Sequence, residues 1–200
     1  MVKEIAKGTA MVDLPTLFAA NAARWTKMKV TPSLIPLLDQ AARRLVAATA
    51  KAQYQDVSSK TRVPWFVIAV IHEREASQSW KGSLAQGDPW NKVSIHVPAG
   101  RGPFASWADA AVDALTNVPP KAAAWTNWSS GGALSLLEEY NGLGYAGKGV
   151  PSPYIWASTD QYVKGKYVAD GHYDPNVVDQ QLGCAALLNR MATIDGSVHF

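Results

Sequence analysis

The strongest pattern along the chain is an apolar run, VPWFVIAV (63–70), that passes straight into the charged segment IHEREAS (71–77). From Pro64 to about Ser77 the spacing predicts a helix that is apolar on nearly every side, which belongs at the centre of a domain. Upstream, DLPTLFAANAARW reads as a helix with Asp13 as cap and Pro15 in its first turn. A longer helix is predicted from Thr31 and Pro32 through SLIPLLDQAARRLVAATAKAQY. There Leu34, Leu37, Leu38, Ala41, Leu45 and Ala48 recur at spacings of three and four.

Beyond the central run, Gly, Pro, Asn and Asp dominate from Gly82 to Pro103, and the alternation in KVSIHV predicts one short strand. Ser106 then caps WADAAVDAL, another helix runs through GALSLLEEY, and the Gly-rich NGLGYAGKGVPSP ends it. An irregular aromatic stretch, YIWASTDQYVKGKYVADGHYDP, leads to Asp174 and Pro175, which are expected to open a last helix, NVVDQQLGCAALLNRMATI. No repeat or linker interrupts this order. The expected fold is one domain over 1–200, mainly α, built around a buried central helix with a small irregular or β-containing lobe.

Composition adds limits. Hydrophobic residues make up 48% of the 200 and charged residues 18%, which excludes a disordered chain and allows a substantial core. The net charge of +3 suits an anionic partner such as a cell wall, but lacks the clustered Lys and Arg of a nucleic-acid binder. Cys184 is the one cysteine, so no intrachain disulfide forms, and its setting in QLGCAALL predicts a packed thiol. The N-terminal MVKEIAKGTAMVDL lacks the continuous apolar stretch of a secretory signal, and no segment reads as a bilayer span. The expectation is a monomer that stays in the compartment where it is made, with no stable membrane insertion.

The chemistry concentrates where the central helix ends. Ile68, Ile71, His72 and Glu75 lie along one helical stripe, whereas Glu73 falls beside Phe66, Ala69 and Val70. A carboxyl leaving the core at a cleft floor holds its proton to higher pH, as a general acid for glycosidic cleavage must. The alternative is that both glutamates pair with Arg74 or other cations at a solvated helix end. Asp88, in the turn-like AQGDPWN, is a candidate second carboxylate, or else a turn residue before Pro89. A carboxyl separation of about 5 Å would mean retention, and roughly 6.5–9.5 Å inversion.

The segment REASQSW, with Glu75 at its acid position, resembles the catalytic helix of the lysozyme-like superfamily, which includes lytic transglycosylases and phage endolysins. Ala76 stands where that family usually has Ser, and Trp80 follows two positions later than the usual aromatic. A second segment, EEYNGLGY (138–145), is similar to the transglycosylase A-Y-N-A-G-x-G motif at Tyr140, Asn141, Gly142 and Gly144. The family's intervening G-L-M-Q element has no counterpart. The resemblance implies an α+β lysozyme-like fold with Glu75, or alternatively Glu73, as acid and Asp88 as base or charge stabiliser. It gives Tyr140, Asn141, Gly142 and the neighbouring Tyr145 places along the sugar cleft.

Tyr154, Trp156 and Trp90 are further candidates, because pyranose rings pack their apolar faces on aromatic rings; the alternative is loops pinned by their own aromatics. His72 reads as a cleft or core imidazole bonded to a neighbour such as Glu75. Other motifs fail on context. Gly142, Gly144 and Gly147 form a G-x-G-x-x-G, but a helix precedes it and a Pro-rich loop follows. His72 and Glu73 begin an H-E-x-x-H, but position 76 is Ala, and His96, His172 and His199 show no ligand spacing. No metal and no cofactor is expected. The resemblance implies cleavage of the β-1,4 link between N-acetylmuramic acid and N-acetylglucosamine in peptidoglycan, by a protein made in the bacterial cytoplasm and brought to the wall by phage-type release. A chitinase-like or chitosanase-like glycosidase and a non-catalytic wall-binding virion component are the alternatives.

Overall fold

The computed structural model describes residues 12–200; positions 1–11 of the N-terminal stretch read above for a secretory signal lie outside them. The described residues are mainly helical, with one two-stranded sheet among them. They form two compact units, Arg43–Thr126 and residues 12–42 together with Asn127–Phe200. No helix among them is long and apolar enough to cross a membrane.

In the first unit, α3 (Ala48–Thr61) packs on α4 (Trp65–Ala76) and α5 (Trp107–Thr116), and a 3₁₀ turn follows at Ala122–Ala124. The central apolar run is α4, buried at every position from Trp65 to His72. Each of its large side chains contributes about 1.5–3 kcal/mol by leaving water. Ser106 caps α5 by accepting the Asp109 N–H, as its position predicts.

The single long helix predicted before α4 is two helices. After a 3₁₀ turn at Pro32–Leu34, α2 (Ile35–Val46) ends and α3 begins across Ala47, which is extended (φ −55°, ψ 137°). The cause is a change of phase. Leu38, Ala41 and Leu45 are buried in α2, but the next buried positions are Ala50, Tyr54 and Val57, and Ala48 faces solvent. One straight helix cannot turn its apolar stripe that abruptly.

KVSIHV is not a strand. Val93, Ile95 and Val97 face solvent, Ile95 at 81% exposure, while Ser94 is the buried residue. Ser94 Oγ donates to the Pro98 carbonyl (2.8 Å), and the N–H groups of Ile95 and His96 both go to Asp88, so the donors a ladder needs are already engaged.

In the second unit, α1 (Leu14–Lys27) packs along α6 (Ser130–Asn141), with α8 (Pro153–Trp156) and α9 (Cys184–Ile194) on other faces of α6. Asp13 caps α1 with Pro15 in the first turn, as the sequence predicts. The short α7 (Gly144–Gly147) follows α6, and β1 (Lys166–Ala169) pairs antiparallel with β2 (His172–Asp174). The last helix does not open at Asp174. The N–H groups of Asn176, Asp179 and Gln181 go to the side chains of Asp174, Tyr162 and Asp179, which holds the chain irregular until Cys184. Cys184 is buried at the start of α9.

The tightest point between α1 and α6 is Gly131, where an added Cβ would lie 2.3 Å from the Phe18 carbonyl oxygen. Gly131→Ala should therefore lower unfolding free energy by about 1–3 kcal/mol in chemical denaturation, as overpacking does; an unchanged midpoint would mean the helices part without loss.

Candidate functional site

The end of α4 sorts its charges by the partner each one finds. Glu73 receives both oxygens' contacts from the Arg44 guanidinium, at 3.2 and 3.3 Å, so it is the ion-paired glutamate at the helix end. Glu75 is buried, at 8% exposure. The helix then stops on two successive left-handed residues, Ser77 (φ 49°) and Gln78 (φ 56°). Their N–H groups close on the carbonyls of Glu73 and His72. For residues with a Cβ this conformation costs about 1 kcal/mol or more each, so the turn is held from outside. The Gln78 side chain does so: it donates to the Arg44 carbonyl (3.0 Å) and to Tyr54 Oη (3.3 Å), and accepts from Arg44 Nε (3.3 Å).

His72 is fully buried beneath this turn. Its Nε2–H donates to the Ser79 carbonyl and its Nδ1 accepts from the Tyr54 hydroxyl, both at 3.0 Å, which fixes the neutral tautomer. Trp80 stacks on Tyr54 and meets His72 and Trp107 edge-on. Burial pushes His72 down to about 4, against the smaller opposing effect of the Ser79 carbonyl. Its bonded partners are thus Tyr54 and Ser79, and it belongs to the packed floor of the unit.

The loop from Gly82 to Trp90 folds onto the same helix end. Gly87 (φ +78°) passes so close that a Cβ there would lie 2.6 Å from the Glu75 carbonyl oxygen. Next to it, Asp88 Oδ2 accepts the N–H groups of Ile95 (2.9 Å) and His96 (3.0 Å), and Oδ1 bonds His96 Nδ1 (2.6 Å). Desolvation works to raise the Asp88 pKa, but the His96 N–H, the His96 ring and the Ile95 N–H together hold it below the ordinary carboxylate range. Trp90 is half-buried, with its indole N–H on the Trp80 carbonyl (2.8 Å). Glu75, Glu73, His72, Asp88 and Trp90 all belong to this first unit.

The remaining sequence candidates belong to the second unit. Tyr140 is buried on α6, Asn141 is its half-buried last residue, and Gly142 (φ 111°) terminates it. Tyr145 is buried in α7 and its hydroxyl accepts the Tyr167 N–H (3.0 Å). Desolvation pushes it up to about 12. Its ring meets Tyr167 and Tyr173 edge-on, and Lys148 Nζ lies 5.1 Å from the Tyr173 ring centre. Tyr154 and Trp156, read from sequence as cleft-lining, are at 0% exposure, so neither offers a ring face at the surface. They are the core side of α8, the loop-pinning alternative.

Two carboxylates went unnoticed in sequence. Glu138 is buried on α6, and desolvation pushes it up to about 7 against the Asn21 amide and the Arg24 charge. Glu139 follows, half-buried and also raised by desolvation. Their signal was the one used for α4, acidic residues closing a helix that is apolar almost all round. Among the described residues no three His, Cys, Asp or Glu side chains group as metal ligands would. Comparison with protein-family models, with curated proteins and with solved structures finds no match to this chain.

The depressed His72 fixes a pH dependence. The unfolded chain protonates this imidazole near pH 6.5 and the folded one only near 4, so its contribution is complete above 6.5 and is lost as pH falls towards 4. The loss should reach about 3 kcal/mol. Denaturation of wild type and His72→Gln across that interval should show a flatter profile for the variant; parallel profiles would assign the acid sensitivity elsewhere.

Proposed function

We propose that this chain is a peptidoglycan-degrading glycosidase in which Glu75 is the general acid. The observation that carries the reading is the division of labour at the end of α4. Glu73 is engaged by Arg44, and Glu75 is the buried carboxyl at the terminus of an all-apolar helix. In this reaction Glu75 donates its proton to the oxygen between N-acetylmuramic acid and N-acetylglucosamine as the C1–O bond breaks. Positive charge then develops on the sugar ring, where a fixed negative charge helps. Asp88, kept ionised by three hydrogen bonds, supplies that charge and shapes the loop. Such a carboxylate suits charge stabilisation better than proton transfer, since its acceptor sites are occupied. A water or the sugar's own hydroxyl completes the reaction, with Glu75 taking back a proton.

Release of soluble fragments from purified peptidoglycan tests the assignment. Glu75→Gln should lower the rate by about 10²-fold or more while preserving the circular dichroism of the fold, and Glu73→Gln should stay close to wild type. Loss on Glu73→Gln alone, or activity in both variants, would overturn the assignment to Glu75. Wall binding by wild type without fragment release would replace catalysis with adhesion. Asp88→Asn should lower turnover more than affinity; reducing ends in the products would mark a hydrolase and 1,6-anhydro ends a transglycosylase.

A further inference from the structure

A cavity of about 340 Å³ lies within the second unit, walled by α1, the end of α6 and the segment 146–151. Leu17, Ala20, Val150 and Pro151 make most of its wall apolar, with Trp156 at its floor. Three charged or titratable side chains interrupt that lining, one of them Asp13 at the cap of α1, whose carboxylate accepts from Thr16. Glu138 reaches it from α6 at 2% exposure, and Arg24 from the last turn of α1.

Asn21 stands between them and is already committed. Its amide donates to Glu138 Oε2 (3.1 Å) and to Ser135 Oγ (3.0 Å). Glu138 Oε1 accepts no hydrogen bond among the described residues, and Arg24 makes no ion pair among them. Arg24 is nevertheless near enough to act on the charge of Glu138. The pair is separated by a gap wider than an ion pair and narrower than the reach of its field.

We propose that this cavity binds a small monocarboxylate with an apolar body, whose carboxylate bridges Arg24 and Oε1 of Glu138. A guanidinium and a carboxylic acid facing one gap offer donors to both oxygens of such a ligand, the arrangement that makes charge-assisted pairs strong. A cation would meet Arg24, and a dianion such as phosphate would carry a second charge that Glu138 cannot neutralise. The apolar walls suit a ring or branched chain, and the volume lies within the range of small-molecule sites. The site is independent of the chemistry assigned to Glu75.

Occupancy is then coupled to a proton. Desolvation pushes Glu138 up to about 7. Of the elements packed on α6, α1 brings Asp13 and Arg24 to the cavity. The one titratable side chain of α8 is Tyr154, while α9 carries Cys184 and Arg190, the latter bound to Asp39. Glu139 follows Glu138 on α6 itself.

Isothermal titration calorimetry of the full chain with sodium benzoate, and with benzamide as its uncharged match, tests the site. Benzoate should bind at pH about 6 and lose about tenfold in affinity by pH about 8, as the protonated fraction of Glu138 falls. Near neutrality the heat should change with buffer ionisation enthalpy, reporting proton uptake. Glu138→Gln should bind benzoate without pH dependence or proton uptake, and Arg24→Gln should bind at least about tenfold more weakly. Benzamide as tight as benzoate, wild-type affinity that ignores pH, full affinity in Arg24→Gln, or no heat from benzoate would each overturn the proposal. If a variant fails to fold by circular dichroism, the wild-type pH dependence and the benzamide comparison decide it.

Discussion

Taking a carboxylate out of water costs several kcal/mol unless hydrogen bonds or a cation replace its hydration. The sequence places acidic residues at the end of an apolar helix in each unit, so each needs its own remedy. Glu73 has a guanidinium and Asp88 two backbone amides and a ring nitrogen. Glu138 has one amide and a proton that stays to near neutrality. In each unit one of these carboxyls is deeply buried at a helix end, Glu75 on α4 and Glu138 on α6.

Around these groups the packing acts as a jig. The left-handed turn at Ser77 and Gln78 is strained on its own, and the Gln78 side chain holds it to Arg44 and Tyr54. The His72 imidazole, clamped between Tyr54 and Ser79, prevents the last turn of α4 from rotating. Gly87 then brings the Asp88 loop against the Glu75 backbone. The backbone that carries the carboxyl proposed as the acid is thus held by neighbours on three sides.

Much of this was legible in the sequence where one local signal sufficed. The caps Asp13 and Ser106 and the all-apolar α4 stand as read, because side-chain capping and dense burial are decided by neighbours in sequence. The break at Ala47 was hidden, since only the three-dimensional phase of the buried stripe reveals it. KVSIHV misled because alternation says which positions share a face, not which face is wet. The region after Asp174 misled because side chains distant in sequence, Tyr162 above all, took its N–H groups. At the end of α4, the ion pair of Glu73 depends on Arg44, about thirty residues upstream, which no local pattern announces. Glu138 stands two places before the Tyr-Asn-Gly motif, and only its burial against Asn21, far away in sequence, sets it apart from a surface acid.

The outward-facing valines and isoleucine of the loop beyond Asp88 bear on how this molecule behaves in concentrated solution. A β-prone apolar triplet kept from strand pairing by one carboxylate is a latent adhesive edge. Its safety catch is the negative charge on Asp88, set below the usual carboxylate range, so strong acid would release the N–H groups of this segment for edge-to-edge association between copies.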